Sequence, residues 1–193
     1  MAGSLPAYFL NLNRQKENRT MTKVINFFGA PGCGKTTTAL GLSYFAKRDG
    51  FSVEYVAEVA RELAYLGNLR ETRQYEIMVA QYNRVACLID KVDFIITDSP
   101  VLLSYVYTND VNIHRMAVDR HNQFNNINFN ISRSHRYYND AVRIHSEQQS
   151  EFIGEKIDDC LRIEKIPSIP VQSEEIREDW FYYILSRMNK QTI

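Results

Sequence analysis

Eight consecutive residues constrain this chain more than any others: Gly29-Ala30-Pro31-Gly32-Cys33-Gly34-Lys35-Thr36. They fit the pattern GxxxxGK[ST] in full, and Thr37 extends them. The apolar run Val24–Phe28 stops at Gly29 and predicts a buried strand ahead of the loop. Ala39, Leu42, Phe45 and Ala46 then recur at helical spacing until Gly50. A strand, a glycine-rich turn and a helix in that order make a phosphate cradle. The glycines let backbone N–H groups turn toward phosphate oxygens. The helix N-terminus adds its dipole and its free amides. Lys35 reaches the β- and γ-phosphates as a point charge, and the Thr36 hydroxyl suits Mg²⁺. ATP and Mg²⁺ are therefore the expected ligands, with ATP on Gly29–Thr37. Cys33 holds a variable position of the pattern and reads as a small tolerated side chain, not a reactive thiol.

Beyond the loop, strands and helices alternate. Phe51–Val56, Val92–Thr97, Asn126–Ile131 and Ile166–Val171 read as further strands. The last carries Pro167 and Pro170, which favour an edge. Helices are expected over Glu58–Leu66, Glu71–Lys91, Pro100–Tyr107, Ile113–Phe124 and Glu147–Lys165, with an N-capped terminal helix from Ser173. This alternation predicts an α/β fold: a parallel sheet with helices on both faces. Residues 1–20 read as an N-terminal extension, and residues 21–193 as the folded domain.

Ligands of such a sheet bind at the carboxyl ends of its strands. Two carboxylates fall there. Asp98 closes the third strand after Phe94-Ile95-Ile96 and is placed to hold Mg²⁺. It could also cap the helix that follows. Glu58 follows the second strand and could take a proton from an acceptor hydroxyl. Asp98 competes for that role. Arg61, one helical turn beyond Glu58, could hold a polar or anionic acceptor. Gln74 and Gln81 lie seven residues apart and share a face of the long helix, where amides can read a polar ring; Arg84 lies on the same helix.

Phosphoryl transfer also needs positive charge on the moving group and exclusion of water. Arg133, Arg136 and Arg143 cluster in the polar segment around 132–146, which reads as a lid, with Tyr137-Tyr138 in its middle. His135 and His145 are too weakly placed to suggest a metal site.

Composition narrows the partners. Lys+Arg and Asp+Glu are both 23, so the formal net charge is zero. That balance supplies no global attraction to nucleic acid or to a membrane surface. No apolar run approaches membrane-spanning length. Cys33, Cys87 and Cys160 match no zinc or disulfide spacing and suit a reducing, cytoplasmic setting. A homodimer stays open.

GAPGCGKTT, Glu58 with Arg61 in AEVAREL, Gln81 in a long helix, ITDSP and the arginine-rich segment together resemble the P-loop nucleoside and nucleotide kinase-like proteins. The likeness points toward ribosylnicotinamide kinase-like domains and phage-encoded P-loop kinases, and runs from Lys23 to Arg187. It implies a three-layer α/β/α P-loop NTPase whose five-stranded parallel sheet has the order 2-3-1-4-5. It implies an acceptor hydroxyl or phosphate beside Glu58, Arg61 and Asp98, and a lid carrying Arg133, Arg136 and Arg143. The chain departs from the pattern after the third strand. Asp98-Ser99-Pro100 stands where a DRY- or ERS-type motif is usual, which leaves the acceptor open. A nucleoside- or nucleotide-type small molecule is the first expectation. Modified DNA is an alternative, since one phage branch phosphorylates hydroxymethyluracil within DNA. Two other readings compete: an ATPase that drives a partner or a conformational change, and a nucleotide-binding regulator without turnover. A motor-type ATPase would want a glutamate beside Asp98, where this chain has Ser99.

Overall fold

The computed structural model describes residues 21–69, 73–132 and 146–172. Residues 1–20, the segment 133–145 with its three arginines, and the helix expected from Ser173 lie outside the described residues. The elements run in the order β1 (Lys23–Phe28), α1 (Lys35–Arg48), β2 (Val53–Val56), α2 (Val59–Tyr65), α3 (Gln74–Ala86), β3 (Phe94–Thr97), a 3-10 helix (Val101–Tyr105), α4 (Val111–His121), β4 (Asn125–Ser132), α5 (Glu147–Ile163) and β5 (Ile169–Gln172).

Among the described residues, five parallel strands form one sheet in the order β2-β3-β1-β4-β5. The expected order is the observed one. β1 lies in the middle because it is apolar on both sides. Ile25 and Phe27 pack with Ala39, Leu42 and Ala46 of α1 on one face. Phe28 packs with Met78, Leu102 and Ile157 on the other, and Val24 with Val85. A strand buried on both faces is what a three-layer α/β/α arrangement demands. β5 pairs only with β4, so Pro170 sits on an edge strand, where a missing N–H costs least. No helix among the described residues is long and apolar enough to cross a membrane.

One buried polar cluster interrupts this core. Asn26 Nδ2 donates to Asn126 Oδ1 at 2.8 Å and to Asn128 Oδ1 at 3.0 Å. Asn128 Nδ2 in turn donates to the Pro167 carbonyl at 3.0 Å. Asn126 and Asn128 of β4 therefore face Asn26 and tie β1, β4 and the approach to β5 together.

Three elements differ from their expected form. The helix expected over Glu71–Lys91 ends at Ala86, and the chain turns over through Asp90 at φ 61°. The Asp90 N–H donates to Thr22 Oγ1, which holds that turn against the start of β1. Pro100–Tyr107 contracts to the 3-10 helix, which has no side-chain cap. Asp98 does not cap it: the cap position falls on Pro100, two residues beyond Asp98. β5 begins at Ile169, since Pro167 interrupts the longer strand.

Candidate active site

At the C-terminal end of β1 the chain turns through Gly29, Gly32 and Gly34 at φ 134°, 82° and 95°. These are conformations that a side chain rarely adopts. At Gly29 the approach is also close. A Cβ there would stand 2.4 Å from the Ile131 carbonyl oxygen and 2.7 Å from Cys33 Sγ. Cys33 is buried, and its N–H closes the turn on the Ala30 carbonyl at 3.2 Å. α5 braces the loop from outside. Ser150 Oγ donates to the Pro31 carbonyl at 2.7 Å, and Gly154 lets α5 approach Ala30. Gly34 precedes α1 as a cap residue with no side chain, so no side-chain cap claims the first-turn amides.

Lys35, at the head of α1, folds back over the loop. Its Nζ donates to the Gly29 carbonyl at 2.8 Å and to the Ala30 carbonyl at 2.9 Å. Thr36 points the other way, toward β3. Its hydroxyl donates to Asp98 Oδ2 at 2.5 Å and accepts from Arg61 Nη2 at 3.0 Å. Arg61 Nη2 also lies 3.4 Å from Glu58 Oε2 and 3.6 Å from Asp98 Oδ2. Lys35 and Thr36 of α1, Glu58 and Arg61 at the start of α2, and Asp98 after β3 are thus brought to one place. The parallel register makes this possible. Val56 sits level with Thr97, so β2 and β3 end at one height, and β1 runs from Asn26, at that level, two residues further to Phe28 and the loop.

Asp98 is 2 % exposed, and its Oδ1 is buried without a hydrogen-bond partner. Tyr55 of β2 stands beside it. Burial raises the Tyr55 phenol well above its ordinary range, and the Asp98 charge and a hydrogen bond to Asp98 raise it further. The phenol stays protonated beside Asp98. A hydroxyl and a buried carboxylate in contact, with one carboxylate oxygen left over, suit a hard cation such as Mg²⁺. Among the described residues, no group of three or more His, Cys, Asp and Glu side chains gathers to hold a metal.

A cleft of about 790 Å³ opens over these residues and runs past them to α3 and the 3-10 helix. Gly29, Pro31, Gly32, Gly34 and Thr37 line its loop end. Ala30 and Cys33 do not line it; they shape the turn from behind. Tyr65, Ile77, Leu103 and Tyr107 form apolar walls at the far end. Tyr107 is 43 % exposed, but the cleft wall around its hydroxyl first and the Glu58 charge second push the phenol up to about 12. Gln81 also lines the cleft, although it is 3 % exposed. Its Oε1 accepts from the Val59 N–H at 3.0 Å. Gln74 joins it on the cleft wall, whereas Arg84 is turned to Glu62 in a two-pronged pair at 3.1 and 2.5 Å that ties α3 to α2.

A family model described as an AAA domain matches residues 24–178. The chain belongs to this AAA-domain family of P-loop NTPases. Among solved structures, the AAA-domain chain is similar to a deoxyadenosine kinase from M. mycoides, solved with the products dCMP and a flexible dCDP bound. The identity is 16 %, the TM-score 0.55, and the match covers 86 % of this chain and 99 % of that one. A GTPase from Pyrococcus abyssi in its apo form is a further match, at 11 % identity and TM-score 0.41, over 87 % of this chain and 96 % of that one. No curated protein matches the sequence. The likeness to the first structure agrees with the three-layer α/β/α P-loop fold.

Four features of the AAA-domain chain, one in the cleft and three around it, are marked by no motif in the sequence. Tyr55 stands out only with β2 set beside β3, and Tyr107 only with the chain after the 3-10 helix brought near Glu58. Ser150 lies 119 positions from Pro31 in sequence. Gly154 sits in α5 without any turn signal around it. The available signal for Tyr55 was its place near the carboxyl end of a strand, where site residues gather.

Proposed function

We propose that this chain is an ATP-dependent phosphotransferase that moves the γ-phosphate of ATP to a hydroxyl or phosphate of a nucleoside-type acceptor. The observation that carries this reading is the shape of the cleft. It continues beyond the Thr36–Asp98–Arg61–Glu58 cluster to a second, largely apolar end. A hydrolase needs room only for water there, whereas a transferase needs room for another molecule.

In this reading the loop amides and Lys35 hold the triphosphate. Thr36 and Asp98 would hold Mg²⁺, which neutralises phosphate charge when bound. Glu58 takes the proton of the acceptor hydroxyl while that oxygen bonds to the γ-phosphorus and the bond to the β–γ bridging oxygen breaks, leaving ADP. Asp98 is the weaker candidate for base, because this reading gives it to Mg²⁺ and its Oδ2 already accepts from Thr36. Arg61 orients Glu58. Arg133, Arg136 and Arg143, outside the described residues, would supply positive charge to the transferring group.

The acceptor is open among nucleosides, nucleotides, ribosylnicotinamide and hydroxymethyluracil in DNA. Incubating each with γ-labelled ATP should label one class. ATP hydrolysis that no acceptor alters would instead favour an ATPase. Glu58→Gln should lower kcat about 10²–10⁴-fold with ATP affinity kept, the range for loss of a general base. Full kcat in that variant would move the role to Asp98. Asp98→Asn should act differently, shifting the Mg²⁺ concentration for half-maximal rate upward and lowering kcat about 10²–10³-fold. An unchanged Mg²⁺ profile would remove Asp98 from the cation site.

A further inference from the structure

The two faces of the sheet are covered differently. α3, α4, α5 and the 3-10 helix pack on one face, around Phe28. Among the described residues, α1 is the one helix whose side chains join the core on the other. α1 lies mainly over β2, β3 and β1. Yet the β4–β5 half of that face is closed to solvent. Phe129 is wholly buried and stacks on Phe27 at 5.6 Å, and Val171 is only 3 % exposed. Val171 sits on the edge strand with β4 between it and β1, so about 10 Å of sheet separates it from the strand under α1. This burial holds within a single copy of the chain, so the cover belongs to the chain itself.

Three longer segments could supply it. Residues 1–20 enter β1 at Lys23, at the amino ends of the strands, far from Ile131 and Val171. The segment 133–145 leads from β4 to α5, which packs on the opposite face. Residues 173–193 follow Gln172 directly, beside Val171 itself. Their sequence carries Ile176, Trp180, Tyr183 and Ile184 at i, i+4, i+7 and i+8, an apolar stripe wide enough to face a core, with Ser173 placed as an N-cap. A helix over 173–193 would be about 30 Å long, against about 27 Å for the eight residues of β4, so it can cross the sheet from end to end.

We infer that residues 173–193 fold back as a helix over the β4–β5 half of the α1 face, seat Ile176, Trp180, Tyr183 and Ile184 on Phe129, Ile131 and Val171, and thereby brace the phosphate loop. The brace follows from adjacency. Cys33 of the loop shares its core cluster with Ile131 and Val171, and the Ile131 carbonyl abuts Gly29. Packing lost behind β4 becomes slack under the loop amides. This docking surface is independent of which molecule accepts the phosphate.

Trp180 is the sole tryptophan, so its fluorescence reports on this segment in the full chain. Acrylamide quenching should be several-fold weaker in the native chain than in urea. Val171→Asp should abolish that protection in a chain that keeps its circular dichroism, because a carboxylate under the stripe has no partner. Val111→Asp, at an exposed site on α4, should leave it intact. Where Val171→Asp does not fold, Val171→Ala and Trp180→Ala carry the test: their losses in Tm should be non-additive, as for residues in contact. Each of these two should also weaken ATP binding about 5-fold or more, the range for coupled sites. Quenching equal to that in urea, protection untouched by Val171→Asp, or additive losses would overturn the docking. So would protection that appears only at concentrations where the chain dimerises, which would give the face to a second copy. Unchanged ATP affinity in both alanine variants would overturn the brace. A parent chain that binds no ATP would overturn the brace together with the nucleotide-binding reading, while the fluorescence still decides the docking.

Discussion

Replacing Lys35 with alanine should abolish nucleotide turnover, with a fall of at least about 10³-fold, and weaken ATP binding in parallel. Two effects add. The ammonium is the one charge the loop aims at the β- and γ-phosphates, and removing such a group from a preorganised site costs about 10²–10³ in rate by itself. Lys35 also ties the Gly29 and Ala30 carbonyls together from above, at 2.8 and 2.9 Å. Without it those carbonyls face the phosphates with nothing to neutralise them. Lys35→Arg separates the two effects: it keeps the charge, but its planar fork does not match a point-charge role. Turnover should stay low in that variant too. ATP binding by calorimetry and turnover by phosphate release would both be measured. Normal turnover in Lys35→Ala would sink the nucleotide-binding reading as a whole.

The largest expected effect on stability belongs to Gly29→Ala. A Cβ at this position meets the Ile131 carbonyl oxygen at 2.4 Å, on a backbone at φ 134°. Neither β4 nor Cys33 is a flexible side-chain end that could give way. A strained φ alone costs about 1–3 kcal/mol, and the overlap adds to it, for a total of about 3 kcal/mol or more. For a chain of this length that corresponds to a drop of about 6–12 °C in Tm. Gly41 is the internal comparison. It lies within α1, and a Cβ there has nothing within 4 Å. Gly41→Ala should stabilise by about 0.5–1 kcal/mol, because alanine loses less entropy in a helix. Thermal melts of the two variants side by side would test the argument. A Gly29→Ala protein as stable as its parent would mean that the loop does not press on β4 as described.

The phosphate loop was legible because its chemistry is contiguous: eight residues carry the turn, the charge and the hydroxyl. Asp98, Glu58 and Arg61 were legible for a related reason, since they follow β3 and β2, two neighbouring strands that end at one height. Other features depend on contacts that spacing along the chain does not encode. Tyr55 reads as an ordinary strand aromatic until β3 is placed beside it. Ser150 has no sequence mark that links it to Pro31. Gln81 was legible as a polar residue on a helix, but not as a buried one. Its burial follows from the packing of α3 on the 3-10 helix and α4, and its orientation from a single backbone N–H. The helix after Asp98 starts two residues later than a cap at Asp98 would need, with Pro100 at the cap position, and a motif does not say where the turn begins.

The asparagine cluster has a consequence for fidelity of assembly. Uniformly apolar parallel strands can slide past one another with little penalty, because one branched side chain replaces another. Here a shift of one residue between β1 and β4 would turn Asn26 or its partners into the layer of Ile25, Phe27, Ile127 and Phe129. The amides would be stranded there without acceptors, so misaligned sheets are penalised as they form. The register so selected runs Phe28 against Asn130, and the next position along is Gly29 against Ile131. A slip would move that step by about 3.3 Å, more than the close approach at Gly29 can absorb. The polar key in the middle of the sheet thus acts as a proofreading device for the geometry of the loop at its end.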